Sequence, residues 1–110
     1  MDEQVKAYIE KYPEEIYRQF ILLRQLIWES VSSAPIETMW ARLPSYYAGD
    51  AFVRLIPFKD HINIEASAID QYRDMLTGYK LTPKGMLQIY GGQALPEDLL
   101  RSIFAQTLKN

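Results

Sequence analysis

The sequence contains no cysteine. Disulfides, a catalytic thiol, thiolate-bound zinc and cysteine-held iron–sulfur clusters are therefore excluded. It contains one histidine, His61, so no His-x-x-x-His pair exists to hold a metal. Neither sign of charge is in large excess: 12 lysines and arginines face 14 aspartates and glutamates, a net charge of −2. That balance argues against a broad phosphate-binding surface, and no nucleic-acid partner is expected. Long hydrophobic runs are missing too. The longest aliphatic stretch lies near Phe20-Ile21-Leu22-Leu23, far short of the ~20 apolar residues that span a bilayer, so no membrane partner is expected. The opening Met1-Asp2-Glu3 carries the wrong charge for a signal peptide, and a cytoplasmic protein is the expectation. No Gly-x-Ser-x-Gly elbow, Walker phosphate loop or Gly-x-Gly-x-x-Gly after a strand is found, so no enzyme class is indicated.

What is present is ordinary globular material. Hydrophobic residues make up 48% and charged residues 24% of the 110 positions, which excludes disorder for the bulk of the chain. No linker or repeat divides it, so residues 1–110 read as a single domain. Asp2 can cap a short helix carrying Val5, Tyr8, Ile9 and Tyr12 on one face. Pro13 then opens a second helix, with Glu14 and Glu15 in its first turn and Ile16, Phe20, Leu23 and Ile27 as its stripe. Ser32, Ser33 and Pro35 end it. Thr38–Ala41 reads as a short strand, Pro44–Asp50 as a loop, and Ala51–Phe58 as a strand whose Pro57 suggests an edge or a bulge. Lys59-Asp60 reads as a hairpin turn and His61–Glu65 as a half-buried strand. Ser67 can cap a helix to Leu76 that buries Ile69, Tyr72, Met75 and Leu76, with Gly78 past its end. Tyr79–Lys84 is a loop, Met86–Tyr90 a strand, Gly91-Gly92 a turn. Leu95-Pro96-Glu97-Asp98 starts a last helix through Leu99, Leu100, Ile103, Phe104 and Leu108. The order predicts an α+β fold, an antiparallel sheet with N-terminal and C-terminal helices packed on it.

Six short pieces follow one another along the chain: Val5-x-x-Tyr8-Ile9 before Pro13, Pro35-x-Glu37-x-x-Trp40, Leu43-Pro44-Ser45-Tyr46, Phe58-Lys59-Asp60-His61-Ile62, Tyr79-Lys80 with Lys84-Gly85, and Leu95-Pro96-x-x-Leu99-Leu100. In this order and spacing the chain resembles the YdhG-like domain family, small bacterial proteins of α+β fold. One member is described as a frataxin-like intracellular iron chaperone. The resemblance implies a non-enzymatic binding or accessory protein, possible iron handling with no obligate cofactor, and an iron-accepting protein as partner. It also implies that Glu37, Trp40, Tyr46, Lys59, His61, Lys80 and Lys84 form the wall of one pocket. After His61-Ile62 the family continues with glycine and an aromatic-proline pair, where this chain has Asn63-Ile64-Glu65-Ala66.

Three readings follow. Iron handling needs hard oxygen ligands: the N-terminal helices offer Asp2, Glu3, Glu10, Glu14 and Glu15, and Glu14 and Glu15, with Asp70 and Asp74 one turn apart on the third helix, are the metal candidates put forward. His61 and Glu65 share a strand face but stand ~13 Å apart, too far to ligate one ion. The second reading is a small-molecule module. Three lysines, a histidine and aromatic walls suit an anionic ligand, Glu37 can orient a lysine, and Gly85 lets the backbone approach. The third is an enzyme using that same cleft, with Glu37 and His61 as an acid–base pair. Against each stands a plain structural role: an acid at a helix start, a packed aromatic, a solvated lysine.

Overall fold

The computed structural model describes residues 1–109. Helix α1 (Glu3–Ile9) leads to α2 (Glu14–Glu29) and then to four strands: β1 (Ile36–Trp40), β2 (Leu43–Ala48), β3 (Ala51–Pro57) and β4 (His61–Ala66). A 3-10 helix (Ser67–Met75), β5 (Lys80–Leu81), β6 (Leu87–Tyr90) and α3 (Glu97–Leu108) complete the chain. All pairings are antiparallel, and the strand order is β1-β2-β3-β4-β6-β5. The fold is therefore α+β. No helix among the described residues is long and apolar enough to cross a membrane.

The helices form as the apolar spacing predicts. The Asp2 carboxylate accepts from the Gln4 and Val5 amides at 3.0 Å, satisfying two of the free N–H groups of α1. Pro13 and Pro96 sit at the N-caps of α2 and α3, where a missing N–H costs nothing. The α2 stripe Ile16, Phe20, Leu23 and Ile27 is fully buried. It packs with Leu100, Ile103, Phe104 and Leu108 of α3 against one face of the sheet: Tyr46, Val53, Leu55, Ile62, Ile64, Leu87 and Ile89. Gln19 is the polar tie in this layer. Its Nε2 donates to the carbonyls of Tyr90 (2.9 Å) and Gln93 (3.1 Å), fixing α2 to the end of β6. Among the described residues no helix covers the opposite face of the sheet.

Four local readings change, one of them at residues 79–84, which are not all loop because Lys80–Leu81 pairs with β6 as β5. Residues 44–50 are not a loop: Leu43–Ala48 is the second strand, despite Pro44. The β2–β3 ladder begins only at Ser45 opposite Arg54, so the proline interrupts no bond to β3. Pro57 is likewise central and not at an edge, but it pairs only with Ile62 of β4, beyond the reach of β2. A two-residue turn at Ala41-Arg42, both with positive φ (49° and 66°), closes the β1–β2 hairpin. Residues 67–75 form a 3-10 helix, and Ser67 does not cap it. The Ala68 amide donates instead to Thr107 Oγ1 of α3 at 3.1 Å. Of the predicted apolar face, Ile69 and Leu76 are buried and Tyr72 is half-buried, whereas Met75 is 60% exposed.

Candidate ligand cleft

The seven residues expected to share a wall are divided among five places. Side chains three apart on a strand point to opposite faces, and this separates Glu37 from Trp40. Glu37 faces the helices. Its carboxylate takes both Nε (2.6 Å) and Nη2 (3.1 Å) of Arg24 from α2, and accepts the Asp2 amide at 2.7 Å. Tyr46, opposite Glu37 in the β1–β2 register, is buried behind it, with the Trp28 ring edge-on at 5.8 Å. Arg24 lies over Trp28 at 4.2 Å. Burial alone would raise the Glu37 pKa; the Arg24 hydrogen bonds and the Asp2 amide outweigh it and hold the carboxyl below its usual range. Burial, then the Glu37 charge, pushes the Tyr46 hydroxyl up. The carboxylate is fully engaged by Arg24 and the Asp2 amide, while the buried Tyr46 hydroxyl has no hydrogen-bond partner among the described residues.

Trp40 and His61 lie on the open face. The Trp40 ring covers Arg54 of β3 at 3.9 Å, and Phe52 covers the other side of that guanidinium at 3.8 Å. His61 stacks on Phe58 at 4.4 Å, meets Tyr90 at 5.1 Å, and its Nδ1 is 2.7 Å from Asp60. Lys80 stands on the β5 edge opposite Gln88. Lys59 belongs elsewhere: it lines a hollow of about 520 Å³ with Tyr8, Lys11, Tyr12 and Pro13. There the Tyr12 hydroxyl donates to that of Tyr8 at 3.1 Å, and burial followed by this contact raises Tyr8 to about 12.

The four candidate iron ligands are also apart. Glu14 pairs with Arg18 at 2.7 Å on the exposed side of α2. Glu15 turns onto the Gly91-Gly92 turn: a Cβ at Gly92 would lie 2.8 Å from its Oε1 and one at Gly91 2.9 Å from its Oε2. Asp70 pairs with Arg73 at 2.9 Å, and Asp74 is exposed. Four positions advance a 3-10 helix by about 480°, so Asp70 and Asp74 do not share a face as they would on an α-helix. Among the described residues no three of His, Asp and Glu stand close enough to hold an ion together. The glycine turn gives a test of the Glu15 contact. Gly92 has φ +80°, so Gly92→Ala is expected to cost about 1–2 kcal/mol from the left-handed backbone alone. Urea denaturation of Gly92→Ala with and without Glu15→Ala separates that strain from the contact: the double variant should recover part of the loss.

A cleft of about 750 Å³ lies at the corner where the β2–β3 turn, the end of β4, the 3-10 helix and the β5–β6 turn meet. Asp50, Phe52, Glu65, Asp70, Arg73, Lys84 and Gly85 line it. Two expected residues thus come together from separate groups, Lys84 from the basic wall and Asp70 from the acidic pair. The β5–β6 turn is built to display Lys84. Pro83 and Lys84 are its central residues, the Gly85 amide returns to the Thr82 carbonyl at 2.9 Å, and Gly85 takes φ +88°. Thr82 Oγ1 holds the Met86 amide at 3.0 Å.

The charges in the cleft are partly committed. Asp70 is tied to Arg73, and Glu65 to Arg54 at 3.4 Å. Lys84 and Asp50 make no ion pair among the described residues. Phe52 supplies a flat wall backed by the Arg54 guanidinium. Sequence reasoning missed Asp50, Phe52, Arg54 and Arg73. A signal existed for Arg54, the one charge in the apolar run Ala51–Ile56: a strand charge flanked by core positions needs a partner, and Glu65 alternates onto the same face. Against this geometry the chain matches no protein-family model, no curated protein and no solved structure.

Proposed function

We propose that the protein is a non-enzymatic, YdhG-like binding protein whose site is this cleft, taking a small polar molecule with an anionic group. The observation that carries the reading is Lys84. An unpaired ammonium stands on a rigid glycine-closed turn, beside Arg73 and across from an aromatic wall. Lys84 and Arg73 would face the anion, Phe52 a flat portion of the ligand, and Asp50 a donor group. The reading keeps the expected anionic ligand but moves it from Lys59, His61 and Lys80 to Lys84.

Amide NMR titration tests it, with inorganic phosphate and citrate as probes and ferrous ion under anaerobic conditions as a third. The anions are expected to move residues 50–52, 65–73 and 83–86 together. Lys84→Ala should weaken binding by about tenfold to a hundredfold, the loss of one charge-assisted hydrogen bond. Equal shifts at Lys11, Lys59 and Lys84 would mean loose attraction of an anion to any lysine and would sink the proposal. Ferrous ion broadening the Glu14–Glu15 turn while anions do nothing would return the assignment to metal handling.

A further inference from the structure

The two edges of the sheet differ in kind. The β5 edge is two residues long, carries Lys80, and is followed at once by Pro83. Those are ordinary devices against strand addition. The β1 edge is protected only by its inward-pointing Glu37 and by α1, which packs beside the strand through the Asp2–Glu37 bond. It is five residues, Ile-Glu-Thr-Met-Trp, with no lysine, proline or glycine. Its Ile36 and Trp40 are 67% and 52% exposed, the most and third most exposed large hydrophobic side chains described.

The backbone phase of this edge follows from the hairpin. A two-residue turn makes Trp40 and Leu43 a hydrogen-bonded pair. By alternation Thr38 and Ile36 also bond to β2, and the N–H and C=O groups of Glu37 and Met39 point away from the sheet. No turn, loop or cap bond among the described residues reaches them. An antiparallel second copy of β1 can satisfy all four in one register, with Glu37 bonded to Met39 of the other copy and Met39 to its Glu37. That register places Thr38 opposite Thr38 on the two-fold axis and Ile36 opposite Trp40. The exposed hydrophobic pair would then cover itself twice across the seam. Charge agrees with this register. The only charged side chain on β1, Glu37, is neutralised by Arg24 and would face methionine, whereas shifting the pairing by two residues would set Glu37 against Glu37.

We propose that β1 is a self-association edge, through which two copies of the chain join their sheets antiparallel about Thr38. A five-residue edge buries far less than the ~800 Å² per partner of a standard interface, so association is expected to be weak.

Because the chain has no cysteine, Thr38→Cys supplies a single thiol on the proposed axis. Opposed residues of a non-hydrogen-bonded pair bring Cα atoms to about 4.5 Å, within disulfide reach. Under mild oxidation Thr38→Cys should crosslink at least about tenfold faster than Thr77→Cys, an exposed loop control, because pairing raises the local thiol concentration. Sedimentation equilibrium of the unaltered chain should show the mass rising from 12.8 kDa towards double with concentration, and Thr38→Lys should abolish the rise. A mass constant at 12.8 kDa to about 1 mM, with Thr38→Cys no faster than Thr77→Cys, overturns self-pairing and leaves the edge to an unrelated extended segment. Faster crosslinking of Ile36→Cys than of Thr38→Cys would overturn the register.

Discussion

Replacing Glu37 by glutamine is expected to lower stability by about 2–4 kcal/mol at neutral pH, because breaking a largely buried ion pair leaves its partner charge without compensation. The Glu37 side chain is only 6% exposed and Arg24 24% exposed, so solvent can do little to repair the loss. The Asp2 amide loses its charged acceptor as well, which loosens the start of α1 where Asp2 is itself the cap. Urea denaturation at pH 7 measures the effect, and a shift under ~0.5 kcal/mol would place the pair among the inconsequential surface contacts. The pH dependence has a definite sign. The folded-state pKa of Glu37 is depressed, so its contribution is complete above the ordinary carboxylate value of about 4.3 and fades as pH falls through the lowered one. The gap between the natural chain and Glu37→Gln should therefore be widest at neutral pH and narrow on the acid side.

The second large effect is expected at Arg54. Its side chain is 7% exposed, donates to Ser45 Oγ (3.1 Å) and Tyr47 Oη (2.9 Å), and reaches Glu65. Two aromatic rings sandwich it. Arg54→Ala removes charged hydrogen bonds, three cation–π contacts and the stem that fills the sheet face, and about 2–4 kcal/mol should be lost. Arg54→Met keeps most of the packing. If hydrophobic filling dominates, methionine restores more than half of the loss; if the hydrogen bonds dominate, it restores little. Guanidinium removal also frees the Glu65 carboxylate at the cleft wall. Anion binding by Lys84 should then weaken even where Arg54→Met is fully folded, which couples this stability measurement to the titration of the cleft.

How much of this was legible depends on the physics at each position. Apolar spacing of three and four marked α1, α2 and α3 because each helix hides one stripe, and Asp2, Pro13 and Pro96 sit where helix ends tolerate or need them. Strand β2 was hidden because Pro44 and the polar Ser45-Tyr46-Tyr47 look like loop, and only the register shows that the proline N lies outside the β2–β3 ladder. The 3-10 winding of residues 67–75 left no trace in composition. In the site, parity alone would have parted Glu37 from Trp40. Arg24 could not have been found as the partner of Glu37, since they meet only through packing of α2 on the sheet. Lys84 stood out through the glycine after it. Asp50 and Arg73 did not, because a corner built from four separate turns and ends is a product of topology.

The strand order has a consequence for how the chain reaches this state. Neighbouring strands β1 to β4 are joined by tight hairpins, so most of the sheet can assemble from contacts close in sequence. Such local pairings close with little loop entropy and favour rapid kinetics. The costly closures are those that bring the two ends of the chain together: Gln19 to Tyr90 and Gln93, Ala68 to Thr107, and α2 onto α3. Docking of α3 is therefore expected to be the late step. Core truncations on that helix, such as Phe104→Ala, should mainly speed unfolding, while changes within the β2–β3–β4 hairpins should slow folding.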